Sequence, residues 1–153
     1  MTDYILKDLD GNYFISITNK YENTLTQYEQ LTHCLAVVKV DKDYLLGWNK
    51  WRNRWELFGG CIEKDETPRD CIIRECYEEL GIEGTAFKYL GLMKFLMMPD
   101  YFSSKERIEY GGLYGVTLEN MTIEVVKLAF YKDIKDKEPI APIDEKLLEY
   151  YIK

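Results

Sequence analysis

Histidine is nearly absent from this chain: His33 stands alone among 153 residues, which leaves little material for a Ser-His-Asp triad or a zinc hydrolase. Cysteine is sparse as well. Cys34, Cys61, Cys71 and Cys76 show no C-x-x-C pair and no zinc spacing, so they read as structural, as does His33 within the apolar run 31–40. No basic block is present, and a net charge of −7 argues against wrapping nucleic acid with a basic surface. No apolar stretch reaches membrane-spanning length, and the N-terminus has neither a basic n-region nor an apolar signal core, so no membrane partner is expected and the expected location is the cytoplasm. Repeats, low-complexity tracts and linkers are missing too, so residues 1–153 are expected to form one domain. Small phosphorylated molecules, approached through a metal, are the substrates that these absences leave.

The chain is rich in acids at one place. Thr67 is a good N-cap, Pro68 suits a first helical position, Asp70 stands where a capping-box acid would sit, and Gly81 can close the far end, so the spacing predicts a helix over 68–80. At about 100° per residue, with Arg74 at zero, Glu78, Glu75 and Glu79 fall near 40°, 100° and 140°. All three acids are expected on one face. Ile72, Cys76, Leu80, Ile73 and Tyr77 form an apolar arc expected to meet a core. Arg74 can neutralise Glu78 at i,i+4, but Glu75 and Glu79 remain a like-charged i,i+4 pair. A helix chosen only for stability would not keep that pair, and a hard dication with oxygen ligands would remove the penalty.

Gly60, Glu66, Arg74, Glu75, Glu78, Glu79, Gly81 and Ile82 stand in the register Gly-x5-Glu-x7-Arg-Glu-U-x-Glu-Glu-x-Gly-U, where U is aliphatic. The run resembles the signature of the Nudix hydrolases. Two positions depart from it: Cys76 takes an aliphatic place as a small hydrophobe, and Phe58 stands where many members have proline. Trp55-Glu-Leu-Phe-Gly-Gly resembles the segment leading into that signature.

Outside the helix, alternation of period two dominates. Residues 4–9 and 13–18, joined by Asp10-Gly11, read as a hairpin. Residues 19–30 read as a loop that can reach over a site. Strands are expected at 32–40, 44–48, 55–58, 87–97, 108–118 and 125–131, with a mobile connection at 99–105 and a closing helix from about Asp144 to Ile152. The resemblance implies an α/β (α+β) architecture, a Nudix-like α/β/α sandwich with a mixed β-sheet between helices.

Hydrolysis of a phosphoanhydride needs charge neutralisation, an aligned water and a base. Mg²⁺ suits these tasks, with Mn²⁺ as the alternative. Glu79 and Glu75 are expected as direct metal ligands, Glu78 as a further ligand or a partner behind them, and the Gly59 carbonyl, by resemblance, as a backbone ligand. Arg74 is expected to orient the acids. Glu66, and Glu63 likewise, would brace the loop by accepting backbone N–H groups or Arg74. Glu75 is the first candidate for the base; Glu124 resembles in position the extra acid of MutT-type members, with Glu119 as its rival. Arg52 and Arg54 are candidates to grip an outer phosphate, and Trp48, Trp51, Tyr101 and Phe102 offer stacking surface.

MutT-type nucleoside triphosphate pyrophosphatases open their last helix with an Asn-Glu pair after prolines. Pro142-Ile143-Asp144-Glu145 has a similar layout, and Asp144 would suit a base edge rich in N–H donors. The expected substrate is therefore a small nucleotide, most simply a purine nucleoside triphosphate, intact or oxidised, cleaved to monophosphate and pyrophosphate by a monomer or homodimer. Pro99 stands close to where ADP-ribose hydrolases carry a proline, which keeps ADP-ribose or a nucleotide sugar as the second substrate class. A nucleotide-sensing module without turnover is the third reading, and loss of the signature acids would mark it.

Overall fold

A computed structural model describes residues 3–83, 86–101, 103–119 and 127–152. Nine strands form one mixed sheet: β1 (Leu6–Lys7), β2 (Tyr13–Thr18), β3 (Leu31–Val40), β4 (Asp43–Asn49), β5 (Arg54–Glu56), β6 (Phe58–Cys61), β7 (Lys88–Met97), β8 (Arg107–Leu118) and β9 (Leu128–Phe130). The order is β1-β2-β7-β8-β3-β4-β5, with β6 beside β3 and β9 beside β4. Only the central pair, β3 and β8, runs parallel.

Alternation along β3 divides the interior into two layers. Cys34, Ala36, Val38 and Val40 join a core with Cys71, Ile72 and Cys76 of helix α1 (Pro68–Leu80). Val37 packs on the opposite face with Leu46, Met93, Leu113 and with Ile143 and Leu147 of helix α3 (Pro142–Leu147). A short helix α2 (Tyr131–Ile134) contributes Ile134 to that second core. The mixed sheet between helices is the expected α+β sandwich.

Helix α1 begins and ends where its sequence places it. Thr67 Oγ1 accepts the Asp70 N–H, the Asp70 carboxylate accepts the Thr67 N–H, and Gly81 closes the helix at φ 69°. Its faces follow the expectation except at two residues. Tyr77 is 56% exposed, whereas Cys71 is fully buried. Ile72 and Cys76 are buried and Ile73 and Leu80 pack against the same core, as expected, and Cys71, near 60° by the same angular count, extends that arc past Glu75. Glu78 and Glu79 are exposed, Glu78 with 51% of its side chain accessible against 18% for Glu75.

Four further differences bear on the site. The strand expected at 55–58 breaks at Leu57, whose N–H is taken by the Asp144 carboxylate at 2.8 Å. The closing helix starts two residues early, with Pro142 in its first turn, and passes at Leu148 into a 3₁₀ turn, so Asp144 sits inside the helix and not at its head. The expected loop 19–30 contains a 3₁₀ helix, Glu22–Gln27, anchored by fully buried Leu25 and by a two-point Glu22–Arg69 ion pair onto α1. Of the strand expected at 125–131, residues 125 and 126 lie outside the described residues, and Tyr131 already opens α2.

Candidate functional site

Two glycines let α1 and β6 approach one another. A Cβ on Gly60 would stand 2.5 Å from the Glu75 carboxylate, and one on Gly59, at φ 146°, would stand 2.1 Å from the Cys34 carbonyl oxygen. Glu75 therefore lies flat against the Gly60 backbone, and the Gly59 N–H points to Glu79 Oε1 at 3.4 Å. Burial beside the Glu75 carboxylate raises the Glu79 carboxyl to about 8.

Arg74 binds more acids than its spacing to Glu78 indicates. Its guanidinium donates to Glu66 at 2.6 and 3.0 Å, to Glu75 Oε1 at 2.9 Å, to Glu78 at 3.1 Å and to the Cys61 carbonyl at 3.1 Å. Glu66 is thereby held well below the usual carboxylate range, and its Oε1 also accepts the Glu63 N–H at 2.9 Å. Loop, helix and acids are tied together through one cation. Among the described residues no three acids converge as a finished metal cage. The pair that crowds at Gly59 and Gly60 is Glu75 and Glu79, hard oxygen donors whose mutual repulsion a small dication would relieve.

Beside this pair opens a cavity of about 720 Å³ on the α3 side of the sheet. Gly59, Gly60, Arg52, Arg54 and Asp144 all line it, so the structure brings the sequence-selected residues of β5, β6 and α3 to one place. Arg52 and Arg54 are engaged there: Arg52 donates to both Glu56 oxygens at 3.0 Å, and Arg54 donates to Glu56 at 2.8 Å and pairs with Asp10 at 3.5 Å. Burial opposes ionisation of Glu56, but these arginines and Asn49 outweigh it and hold the carboxyl low. Asp144 is the contrary case. Burial raises it to about 6, and the Leu57 N–H only partly opposes the rise.

A second cavity, of about 490 Å³, joins Glu79 to Lys50, Trp48, Trp51 and Lys127 and shares Gly59 with the first. Trp51 is 85% exposed with the Lys50 ammonium over its ring. Tyr101 is almost fully exposed, while Phe102 and Glu124 lie outside the described residues. Glu119 is exposed at the end of the described part of that connection.

Sequence reasoning passed over Glu56, which fixes both arginines, although Arg54 and Glu56 share a strand face at i,i+2. His33 was read as structural, yet it lines the larger cavity. The one signal for this was alternation, which puts His33 on the face opposite Cys34. Of the cysteines, Cys34, Cys71 and Cys76 are buried thiols and Cys61 is exposed.

This arrangement, two carboxylates of one helix laid on a glycine pair at the rim of a cleft, is a recognisable class of site. Comparison with known proteins names the class: the family model of the NUDIX domain matches residues 31–146, and the chain belongs to that family. The fold is similar to the crystal structure of a Bacillus subtilis pyrophosphohydrolase, with a TM-score of 0.67 and 18% identity over 97% of this chain and 98% of that one. In sequence, the chain is 50% identical over 36 residues to the CTP pyrophosphohydrolase of Escherichia coli (strain K12), covering 24% of this chain and 27% of that protein. It is 31% identical over 61 residues to the diphosphoinositol polyphosphate phosphohydrolase 3-alpha of Mus musculus, covering 40% of this chain and 37% of that protein. The matches thus span only 27–37% of these curated relatives' length. No described helix is long and apolar enough to cross a membrane.

Proposed function

We propose that this chain is a divalent-metal-dependent hydrolase of phosphoanhydride bonds, and that its substrate is a purine nucleoside triphosphate, intact or oxidised, cleaved to monophosphate and pyrophosphate. The observation that carries the reading is the Glu75–Glu79 pair packed on Gly60 and Gly59. Glu75, Glu78 and Glu79, with the Gly59 carbonyl, would hold Mg²⁺ or Mn²⁺. When bound, the ion supplies charge neutralisation at the phosphates and lowers the pKa of a coordinated water.

The chain's own groups do the rest. Arg74 donates to Glu75 Oε1, which leaves Oε2 as the oxygen able to take the proton of an attacking water. Glu124 is the alternative base, carried by the segment outside the described residues. Arg52 and Arg54 would reach an outer phosphate by exchanging Glu56 for it, a swap of one anion for another at the same guanidinium forks. In the large cavity, acids outnumber arginines: Asp8, Asp10, Glu56, Asp100 and Asp144 face Arg52 and Arg54. Away from the two arginines, a wall of that sign favours a moiety rich in hydrogen-bond donors, such as a guanine edge on Asp144.

The test is a screen of nucleoside triphosphates, oxidised nucleotides, ADP-ribose and dinucleoside polyphosphates with Mg²⁺, reading released phosphate or pyrophosphate with and without chelator. Turnover of a purine triphosphate that stops in chelator supports the proposal. Activity confined to ADP-ribose or a nucleotide sugar transfers the site to that second class, and binding without turnover makes the chain a nucleotide-sensing module.

A further inference from the structure

His33 has a proton arrangement that follows from its neighbours alone. The Thr32 hydroxyl carries one proton and donates it to Glu109 Oε1 at 3.0 Å, and that carboxylate is itself held by Arg107 Nε at 2.8 Å. With its proton committed, Thr32 Oγ1 can only accept at its 2.9 Å contact with His33 Nδ1. The ring therefore carries its proton on Nδ1 and its lone pair on Nε2. Burial lowers the imidazole's pKa and keeps the ring neutral. Gly111, its partner across β8, makes room for the ring: a Cβ there would meet Cε1 and Nε2 at 2.8 Å. The other ring face rests on Phe95, centroids 5.4 Å apart.

No described group hydrogen-bonds to Nε2. Nor is that atom sealed away: Tyr89 Oη is the one fully enclosed side-chain nitrogen or oxygen without a partner among the described residues, and His33 lines the large cavity. A neutral histidine with a fixed tautomer, supported by a three-residue relay, thus lines the same cavity as Asp144.

We propose that His33 is a specificity-determining residue, whose Nε2 accepts a hydrogen bond from an N–H or O–H of the substrate's nucleoside moiety, with Thr32 and Glu109 as positioning residues. The inference deepens the proposed function and rests on it. A donor on the substrate finds a partner; an analogue lacking that donor leaves the acceptor unpaired and is rejected by about tenfold, the usual worth of one hydrogen bond.

The chain's single histidine makes the test clean. Long-range ¹⁵N–¹H spectra of ¹⁵N-histidine protein should show a protonated Nδ1 and a bare Nε2 in the wild type, and a mixture of tautomers in Thr32→Val. In kinetics with Mg²⁺, His33→Phe keeps the ring's shape without the acceptor and should lose about tenfold in kcat/KM on the preferred nucleotide, mostly through KM. His33→Gln restores an acceptor and should recover most of it. Ribo- against 2′-deoxyribonucleotides, and guanine against hypoxanthine bases, locate the donor on sugar or base: the loss on His33→Phe vanishes for the analogue lacking that donor. A protonated Nε2 in the wild type, or an His33→Phe enzyme with unchanged discrimination on every pair, overturns the role. If the wild type hydrolyses no nucleotide at all, the proposed function fails first and takes this role with it, even where the tautomer is as derived.

Discussion

Replacing Asp144 by asparagine should stabilise the protein, and by an amount that grows with pH. Burial raises the Asp144 carboxyl from 3.8 to about 6 in the folded state. Below the unfolded value both states are protonated and the residue costs nothing. Between the two values the unfolded chain has released a proton that the native state still holds, so native stability falls as pH rises. Above about 6 both are ionised and the penalty is constant, on the order of 3 kcal/mol from roughly two pKa units and nearer 2 if the half-buried side chain draws in water. Asparagine keeps an oxygen for the Leu57 N–H and carries no charge. Urea titrations of wild type and Asp144→Asn at about pH 4 and pH 8 should give nearly equal midpoints at the acid end and a gain of about 2–3 kcal/mol for the variant at the alkaline end. A gain independent of pH, or a variant less stable at pH 8, would mean that Arg52 and Arg54 already neutralise the carboxylate and that its burial costs nothing. The functional counterpart is opposite in sign: the same variant should lose preference for a guanine over a pyrimidine base in kcat/KM, since an amide offers one acceptor where a carboxylate offers two.

Three other perturbations probe the helix. Glu79→Gln removes the charge that burial and Glu75 disfavour; the metal-free variant should melt higher than wild type at pH 9, and both Mg²⁺-dependent turnover and the Mg²⁺-induced rise in Tm should disappear. Arg74→Ala strips Glu66, Glu75 and Glu78 of their shared donor, so kcat should fall by at least tenfold with KM little changed, and a normal kcat with a greatly raised KM would make Arg74 a substrate clamp instead. Gly60→Ala places a methyl group within 2.5 Å of the Glu75 carboxylate; far-UV circular dichroism should stay native while turnover drops about a hundredfold, and an active variant would show that Glu75 need not lie against β6.

Helix α1 was legible to the residue because its ends are written in local chemistry: a Thr67–Asp70 capping box, a proline in the first turn and a left-handed glycine. The long strands β3, β7 and β8 were legible because alternation and β-branched or aromatic residues mark them. Legibility stopped where a contact spans the chain. Nothing near Leu57 announces that its N–H is taken from 87 residues away by Asp144, yet that bond splits β5 from β6. Nothing near residue 22 announces that Glu22 will clamp Arg69 and accept the Tyr114 hydroxyl. The helical wheel of α1 gave the spacing of the acids and most of the apolar arc, but it left out Cys71, which β6 covers, and counted in Tyr77, which is exposed.

The close approach of β6 to Glu75 and Glu79 bears on how the site works as an electrostatic object. On a solvated face, Glu75 and Glu79 would share water and repel weakly, by a few tenths of a kcal/mol. Laid against β6 they are partly desolvated, and the burden falls on Glu79, because Arg74 donates to Glu75 and not to Glu79 among the described contacts. The helix thus holds a compensated acid beside an uncompensated one. On the proposed function, a dication at Gly59 would meet a carboxylate that no described residue holds in an ion pair, and a neighbour already aimed by Arg74. If this asymmetry governs binding, removing Arg74 should tighten Mg²⁺ in titration calorimetry while slowing turnover, since the freed Glu75 and Glu78 add negative charge but lose their direction. Weaker Mg²⁺ binding by Arg74→Ala would instead show that alignment, and not charge, sets the affinity.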